Sequence, residues 1–528
     1  AGAFNNIAGG INFWGVGEAQ KRFMEEVGTG LYRLKIRLHK VGKRDGRYVN
    51  FPWQGSDLTS EEMEEIIKNL NVARSGGGRT MLQIYGVPKW LSLSDDDNVV
   101  TNALPNFAKY PPKDHEEWKR LVAATIEALQ KLGLRKVDYY EIFGEVNAGS
   151  TWYGQMMPCK EMGKTVHGCK SNALGHSTAE VMAEFFKLYK STAEVIRSID
   201  RSAKVGGLGI IPNPSGIWWT RAFAKYVRVN NVPLDFYSWH WYGIDEALAS
   251  MVRRVGGRKV SLDLVQKHFG KRLTAQGFSH TEMKDFTRDL HKYLGELTNL
   301  KTVAVKKPYT FVSSHLLRIL NEQELGGIGL FLTEWNVNHA VDRRHDTHYG
   351  ASFVAAGLMD ISASGTDMHN FYSLSSRRSA LPRRAKYIGD YGLFAGYDPC
   401  VPKASYNAFK LFRMLGDNGK HLAVKIEGND IYAIATKDDN GVSVLVTYYI
   451  MAKDPEYDIK KVASVRVDNL PFSKQTYRVF RIDGDHSNNF YGSGPELEVT
   501  EEGRVREGFD KRFEIPVYGV LMVRFEKE

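Results

Sequence analysis

With 528 residues, 43% of them hydrophobic and 12% aromatic, the chain is too long for one ordinary core and predicts a large unit joined to a smaller one. No window reads as some 18 uncharged apolar residues, which argues against a helical membrane span, and three cysteines are too few for a disulfide scaffold. A net charge of +10 draws polyanions, whether nucleic acid, a membrane surface or an acidic polysaccharide.

The opening "AGAFNNIAGG" has neither a Met nor a basic-then-apolar leader. It reads as a mature start, so the expected location is secreted or periplasmic with the signal already absent. From there short β-branched or aromatic runs alternate with amphipathic helical ones. "GINFWGVG" (10–17) precedes "EAQKRFMEEVG". "LYRLKIRLH" (31–39) precedes "TSEEMEEIIKNLNVAR", where Thr59 or Ser60 with the following glutamates makes a capping box. "TMLQIYGV" (80–87) precedes "DHEEWKRLVAATIEALQKLG" (114–133), and "VDYYEIFGE" (137–145) precedes "TAEVMAEFFKLYKSTAEVIRS" (178–198). Between these last two, Cys159 and Cys169 flank a polar loop, either pairing in an oxidising compartment or remaining free thiols. "KVGGLGII" (204–211) precedes "GIWWTRAFAKYVR", and "DFYSWHWYG" (235–243) precedes a long basic helical insertion near 260–325. "IGLFLTEWN" (328–336) precedes "HYGASFVAAGLMDISASG", and "TDMHNFYSL" (366–374) precedes "SYNAFKLFRML" (405–415).

Repeated strand-then-helix units demand a parallel sheet, because each crossover returns the chain in the same direction. Eight of them close a barrel, so residues 1–417 are predicted to form a (β/α)8 TIM barrel. A doubly wound open sheet would use fewer strands, and no GxGxxG opens the first helix. From about residue 420 the period falls to two. "LAVKIEGNDIYAIATKDDNGVSVLVTYYI" alternates around Gly-Asn and Asp-Asn-Gly turns, so 418–528 is read as a small antiparallel β-sandwich packed rigidly beside the barrel.

In such a barrel the chemistry sits where strands end and side chains face the loops. Glu145 ends the fourth strand and Glu334 the seventh, each on a stiff apolar support, with Asn147 following one and Trp335 and Asn336 the other. Two carboxyl groups about 5 Å apart suit a retaining glycosidase, and a few ångströms more suit an inverting one. The bland reading of either glutamate alone is a solvated or salt-bridged surface group.

Four stretches carry a family resemblance. "YYEIFGEVN" resembles the acid/base stretch of clan A glycoside hydrolases and "LFLTEWNVN" the nucleophile stretch. "KIRLHKVG" (35–42) and "FYSWHWYG" (236–243) resemble the second- and sixth-strand motifs of glycoside hydrolase family 39, which contains β-xylosidases and α-iduronidases. The resemblance runs in motif order over residues 11–415. It implies retaining hydrolysis of a glycosidic bond, with Glu145 as acid/base, Glu334 as nucleophile, and Arg37, His39, His240 and Tyr242 around them.

Chemistry supports those neighbours independently. A nucleophilic carboxylate stays ionised beside a cation such as Arg37 and a hydroxyl donor such as Tyr242, while Glu145 needs a drier place to hold its proton. Arg33, Lys35, Arg37 and His39 alternate along one strand face. That row is either solvated or, inside a barrel, directed at the site through its last two members. His240, between two tryptophans, is either a core histidine or a site residue. One departure stands out: the clan has Asn before its acid/base glutamate, and here Gly144 occupies that position. Either activity has been lost, or the sugar held there is substituted, sulfated or bridged.

The charge is uneven. "DRRHDTH" (342–348) follows the seventh strand and "SSRRSALPRRAK" (375–386) the eighth, so Arg343, Arg344, His345, Arg377, Arg378, Arg383, Arg384 and Lys386 are expected to ring a mouth that also carries Trp90, Trp152, Trp239 and Trp335. Aromatic faces stack on sugar rings and guanidinium forks grip carboxylate or sulfate. The expected partner is therefore an anionic polysaccharide or oligosaccharide, with no cofactor and no metal. The same arginines could instead pair with Asp342, Asp346 and Asp390 and only pin loops. A non-catalytic binder of anionic glycan or nucleic acid is the alternative, although no nucleic-acid fold signature is present.

Overall fold

The computed structural model describes residues 11–12, 18–28, 30–49, 60–75, 77–97, 104–148, 151–152, 178–212, 214–242, 307–338, 341–375, 387–395, 401–416, 419–450, 457 and 459–528. Eight strands make a closed barrel: β1 (Ile11–Asn12), β2 (Leu31–Arg37), β3 (Arg79–Tyr85), β4 (Tyr139–Ile142), β5 (Lys204–Ile210), β6 (Phe236–Tyr242), β7 (Gly329–Asn336) and β8 (Met368–Phe371). Every neighbouring pair is parallel, and Ile11 closes the ring by pairing with both Tyr32 and Phe371. The helices fall where the apolar periodicity put them: α1 (Glu18–Glu26), α2 (Ser60–Ser75), α3 (His115–Lys131), α4 (Thr178–Ile199), α5 (Pro214–Asn230), α6 (Pro308–Glu322), α7 (His348–Ala363) and α8 (Ala404–Arg413). Asp114 caps α3 by accepting from the Glu116 and Glu117 amides, the arrangement that satisfies orphan donors at a helix start. Thr59, one of the two proposed capping residues of α2, lies outside the described residues, as does most of the basic insertion before α6.

The barrel interior is built in tiers, because side chains two apart on a strand share a face. The N-terminal tier is an apolar plug of Leu31, Met81, Tyr139, Phe236 and Phe331. Phe236 and Phe331 stack with centroids 4.6 Å apart, and Tyr139 stands edge-on to Phe331 at 5.0 Å. Two residues further along the same strands come Arg33, Gln83, Glu141, Ser238 and Thr333, all buried. That change from hydrocarbon to polar groups marks the floor of the site.

After residue 418 come β9 (Lys420–His421), β10 (Ile431–Lys437), β11 (Gly441–Tyr448), β12 (Lys460–Val467), β13 (Gln475–Ile482), β14 (Glu498–Val505), β15 (Phe509–Pro516) and β16 (Val520–Lys527). They form an antiparallel six-stranded sheet in the order β9-β10-β11-β16-β13-β14 and a separate β12-β15 ribbon. The larger sheet lies against α7: Ser352 Oγ and Thr447 Oγ1 are 2.7 Å apart, and the Tyr349 and Tyr449 hydroxyls 3.2 Å apart. No described helix is long and apolar enough to cross a membrane.

Candidate active site

Glu145 and Glu334 meet above the polar tier. One carboxylate oxygen of each, together with a ring nitrogen of His240, all lie within 4.8 Å of one another. They line a cavity of about 190 Å³ shared with Lys35, Gln83, Tyr85, Gly144, Thr151, Tyr242, Tyr372 and Tyr391.

Local backbone irregularities aim both glutamates. Along β6 and β7 the register shifts between Trp239 and His240, so that Trp239 pairs with Leu332 and His240 with Glu334. Such a bulge re-aims a side chain: Thr333 and Glu334 both reach the interior network, while Trp335 turns outward. On β4 the chain leaves the sheet through Phe143 (φ +60°) and Glu145 (φ +52°) on either side of Gly144. Left-handed conformations of non-glycine residues persist only where the surroundings over-determine them. Here the Phe143 amide donates to the Ile84 carbonyl at 2.8 Å, the Glu145 amide to the Gly209 carbonyl at 2.8 Å, and the Thr151 hydroxyl to the Glu145 carbonyl. Gly209 is glycine for space as well as conformation: with φ +49°, an added Cβ would stand 2.8 Å from His240 Nε2 and 2.9 Å from Gly144 Cα.

Glu334 is held as an anion. The Arg33 Nη1 donates to Oε1 at 2.8 Å, the Lys35 ammonium stands 3.7 Å from the same oxygen, and the Tyr242 hydroxyl donates to Oε2 at 2.6 Å. Burial alone would raise this carboxyl, but the charges of His240, Lys35 and Arg33 and the Tyr242 hydroxyl outweigh it and hold it well below the usual range. Burial likewise pushes the Lys35 ammonium down, against the pull of Glu334. Arg33 also donates through Nε to Glu141 Oε2 at 2.6 Å, tying both carboxylates to one buried guanidinium.

The proton inventory around Glu145 follows from the hydrogen bonds. The Thr333 hydroxyl donates to Glu141 Oε1 at 2.7 Å, which uses its single proton. It therefore accepts from His240 Nε2, 3.1 Å away, so that nitrogen carries hydrogen. His240 Nδ1 lies 3.0 Å from Glu145 Oε1. A neutral imidazole with hydrogen on Nε2 can only accept there, from a protonated Glu145. A doubly protonated ring donates to an ionised one. Glu145 and His240 thus hold one exchangeable proton between them at the lip of the cavity.

Other sequence expectations need correction. Arg33 takes the place given to Arg37. Arg37 lies four residues further along the strand, about 13 Å at the usual rise, half-buried, where its charge acts on Lys35. His39 sits in the turn after β2 with its ring against Gly86, outside the cavity lining. Trp152, Trp239 and Trp335 are fully buried and cannot stack on a sugar. Trp152 packs edge-on to Phe143 and Phe185, Trp239 faces Tyr309, and Trp335 donates to His369 Nδ1 at 2.9 Å. Trp90 is half-buried, stacked on Tyr48, and donates to the Val41 carbonyl. Asn147 is spent on the backbone of Ile211, donating to its carbonyl and accepting from its amide. Arg344 is buried against Asp342, the pairing that pins the loop after β7, and His345 is buried against Asn338 of the same loop. Arg343 is exposed, and Arg377, Arg378, Arg383, Arg384 and Lys386 lie outside the described residues, as do Cys159 and Cys169.

Lys35, Gln83, Tyr85, Glu141, Thr333, Tyr372 and Tyr391 join the site although none was singled out from the sequence, Lys35 standing there only as a member of the alternating row. The signal was available for the first five as in-pointing positions on β2, β3, β4 and β7, two residues beyond the plug or four. Glu145, His240 and Glu334 also form the one carboxylate–imidazole group among the described residues with spacing for a metal ion. The neighbouring Arg33 and Lys35 charges oppose a cation there.

The sequence profile of Glycosyl hydrolases family 39 matches residues 175–271. Among curated proteins, the chain is 22% identical over 356 residues to a "Beta-xylosidase" of Caldicellulosiruptor saccharolyticus, covering 65% of this chain and 56% of that one. It spans about half the length of the curated relatives it matches. Among solved structures, a monomeric beta-xylosidase from Caulobacter crescentus CB15 aligns with TM-score 0.64 at 16% identity, covering 100% of this chain and 97% of that one. A GH39 enzyme from Xanthomonas axonopodis pv. citri aligns with TM-score 0.63 at 15% identity, covering 100% and 96%. The shared architecture is the barrel followed by antiparallel sheets.

Proposed function

Starting from the chain's relationship to family 39 of the glycosyl hydrolases, we propose that it is a retaining glycoside hydrolase with Glu145 as acid/base and Glu334 as nucleophile. The observation that carries this reading is the approach of the two carboxylates, with oxygens within 4.8 Å across one open cavity, the spacing of double displacement rather than of a water-bridged inversion.

In the first step a Glu334 oxygen bonds to the anomeric carbon as the glycosidic C–O bond breaks. The proton held by Glu145 and His240 passes to the departing oxygen. Arg33 and Tyr242 keep Glu334 ionised until then, so no proton must leave the nucleophile first. In the second step water attacks the same carbon, Glu145 takes its proton, and the ester bond to Glu334 breaks. Two inversions leave the configuration unchanged.

For the substrate we propose an acidic glycan carrying a carboxylate or sulfate near the cleaved bond. Lys35 supports this: it lines the cavity, lies 5.0 Å over the Tyr85 ring, and stands further from Glu334 than Arg33 does, so its charge is only partly spent. A second reading, a neutral β-xyloside, is favoured by the names of the curated relatives. The test is a hydrolysis panel of uronic-acid and sulfated oligosaccharides beside xylo-oligosaccharides, with NMR of the first anomer released. Retention is expected, and prompt release of the inverted anomer overturns the mechanism. Lys35→Met should cost about 10- to 100-fold in kcat/KM on an acidic substrate, the worth of one charged hydrogen bond, and much less on a xyloside. Equal losses on both remove Lys35 as the anion contact.

A further inference from the structure

Gln83 lines the cavity but has no part in the steps above. It projects from β3 into the tier below Glu145 and is 1% exposed. Its Nε2 donates to the Phe143 carbonyl at 2.9 Å, while its Oε1 is buried with no hydrogen-bond partner among the described residues. The amide cannot be turned over, because Oε1 would then face a carbonyl oxygen at hydrogen-bond distance. The same Nε2 stands 2.5 Å from where a Cβ on Gly144 would be, a separation real Cβ atoms do not show; His240 Cε1, the next nearest atom, is at an ordinary 3.6 Å. Gly144 has no positive φ of its own, and the one atom that an added Cβ would meet too closely is the Gln83 amide nitrogen.

We propose that Gln83 is a positioning residue for Glu145. Its amide grips the carbonyl of Phe143 and, by taking the space beside Gly144, holds the Phe143–Gly144–Glu145 turn in the left-handed path that aims the carboxyl at His240. Phe143 donates backward to Ile84 and Glu145 donates across to Gly209; Gln83 is the side chain that grips the turn between these two anchors. An orphaned Oε1 in a buried place carries a desolvation cost, which a protein keeps where the partner amide hydrogen is needed.

The inference rests on reading Glu145 as the acid/base, and its test separates the two claims. The first arm needs no substrate: melting temperatures of the parent, Gly144→Ala, Gln83→Ala and the double variant. Gly144→Ala should lower the melting temperature of the parent by several degrees, and lower that of Gln83→Ala little or not at all. Equal drops in both backgrounds overturn the claim that Gln83 excludes a side chain at 144. The second arm uses Gln83→Met, which keeps the volume and removes the amide, on phenyl and dinitrophenyl β-D-xylosides, or on the matching β-D-glucuronides if the parent prefers them. A displaced acid should cost about 10- to 100-fold in kcat/KM on the phenyl glycoside, whose leaving group needs the proton, and under about threefold on the dinitrophenyl one. Equal losses on both leave Gln83 a packing residue and overturn the positioning role. A parent that cleaves neither glycoside and no member of the oligosaccharide panel refutes the hydrolase reading of the site, and the first arm still decides whether Gln83 shapes the turn.

Discussion

Arg33→Met is the most informative single perturbation of this site, because one guanidinium serves two buried acids. Arg33, Glu141 and Glu334 are 2%, 0% and 6% exposed. Its Nε lies 2.6 Å from Glu141 Oε2 and its Nη1 2.8 Å from Glu334 Oε1. At a separation near 3 Å and an effective dielectric of 20, each pair is attracted by roughly 5 kcal/mol before desolvation is charged against it. The net cost of removing one partner from a buried group is about 3–5 kcal/mol, because the remaining carboxylates stay buried without the guanidinium that both share. Methionine fills the volume, so this loss is electrostatic and not a cavity effect. The folded Glu334 carboxyl would also titrate higher. Glu334 is an acid whose folded value is depressed, so its stabilising contribution exists above the unfolded carboxyl pKa and disappears as pH falls. Without Arg33 that loss should begin at higher pH, and the acid limb of kcat/KM should move up by about one to two pH units. Urea denaturation at several pH values and a pH–rate profile measure both. Adding Glu141→Gln should recover about half of the lost stability, since one orphaned charge is then gone, while leaving most of the acid-limb displacement. An Arg33→Met protein with the parent's denaturation midpoint and an unmoved acid limb would refute the ionic account of the floor.

Two further outcomes follow from the same geometry. Tyr242→Phe removes the 2.6 Å hydroxyl donor to Glu334 Oε2 and should cost about 1.5–3 kcal/mol of transition-state stabilisation, read as a roughly 10- to 100-fold loss of kcat/KM with the acid limb raised; an unchanged acid limb removes Tyr242 from the set that keeps the nucleophile ionised. His348, at the start of α7 against Tyr457 and Tyr491, is pushed by burial from 6.5 down to about 4. The folded ring stays neutral while the unfolded chain takes up a proton, so stability should fall by up to about 1.4 kcal/mol per pH unit between those two values. His348→Gln should flatten that slope in urea titrations from pH 6.5 to 4, and a slope identical to the parent's excludes His348 as its source.

Much of this protein was legible in its sequence because the relevant physics is local. Alternating strand and helix periods leave a parallel closed sheet as the economical arrangement, and eight units set its size. A glutamate terminating an apolar strand carries its own signal, so Glu145 and Glu334 could be marked before their separation was known. The period of two also told which residues of β2 share a face. Which member of that face would meet which acid was not local. Only the depth of the apolar plug set the polar tier at Arg33 rather than Arg37, and only the bulge beside His240 turned Glu334 inward. The tryptophans show the same limit: an indole beside a catalytic strand end reads as a sugar platform, yet Trp239 and Trp335 pack on Tyr309 of α6, because strand neighbours alternate between the two sides of the barrel wall, and Trp152 after β4 packs on Phe185 of α4. Gly144 read as a departure from the clan's Asn, and only the fold places the Gln83 amide of β3 against it across the sheet. Periodicity and residue type decide the wall and its rim. The contacts between strands far apart in the chain decide what stands on the floor, because they depend on register and on space that no single segment contains.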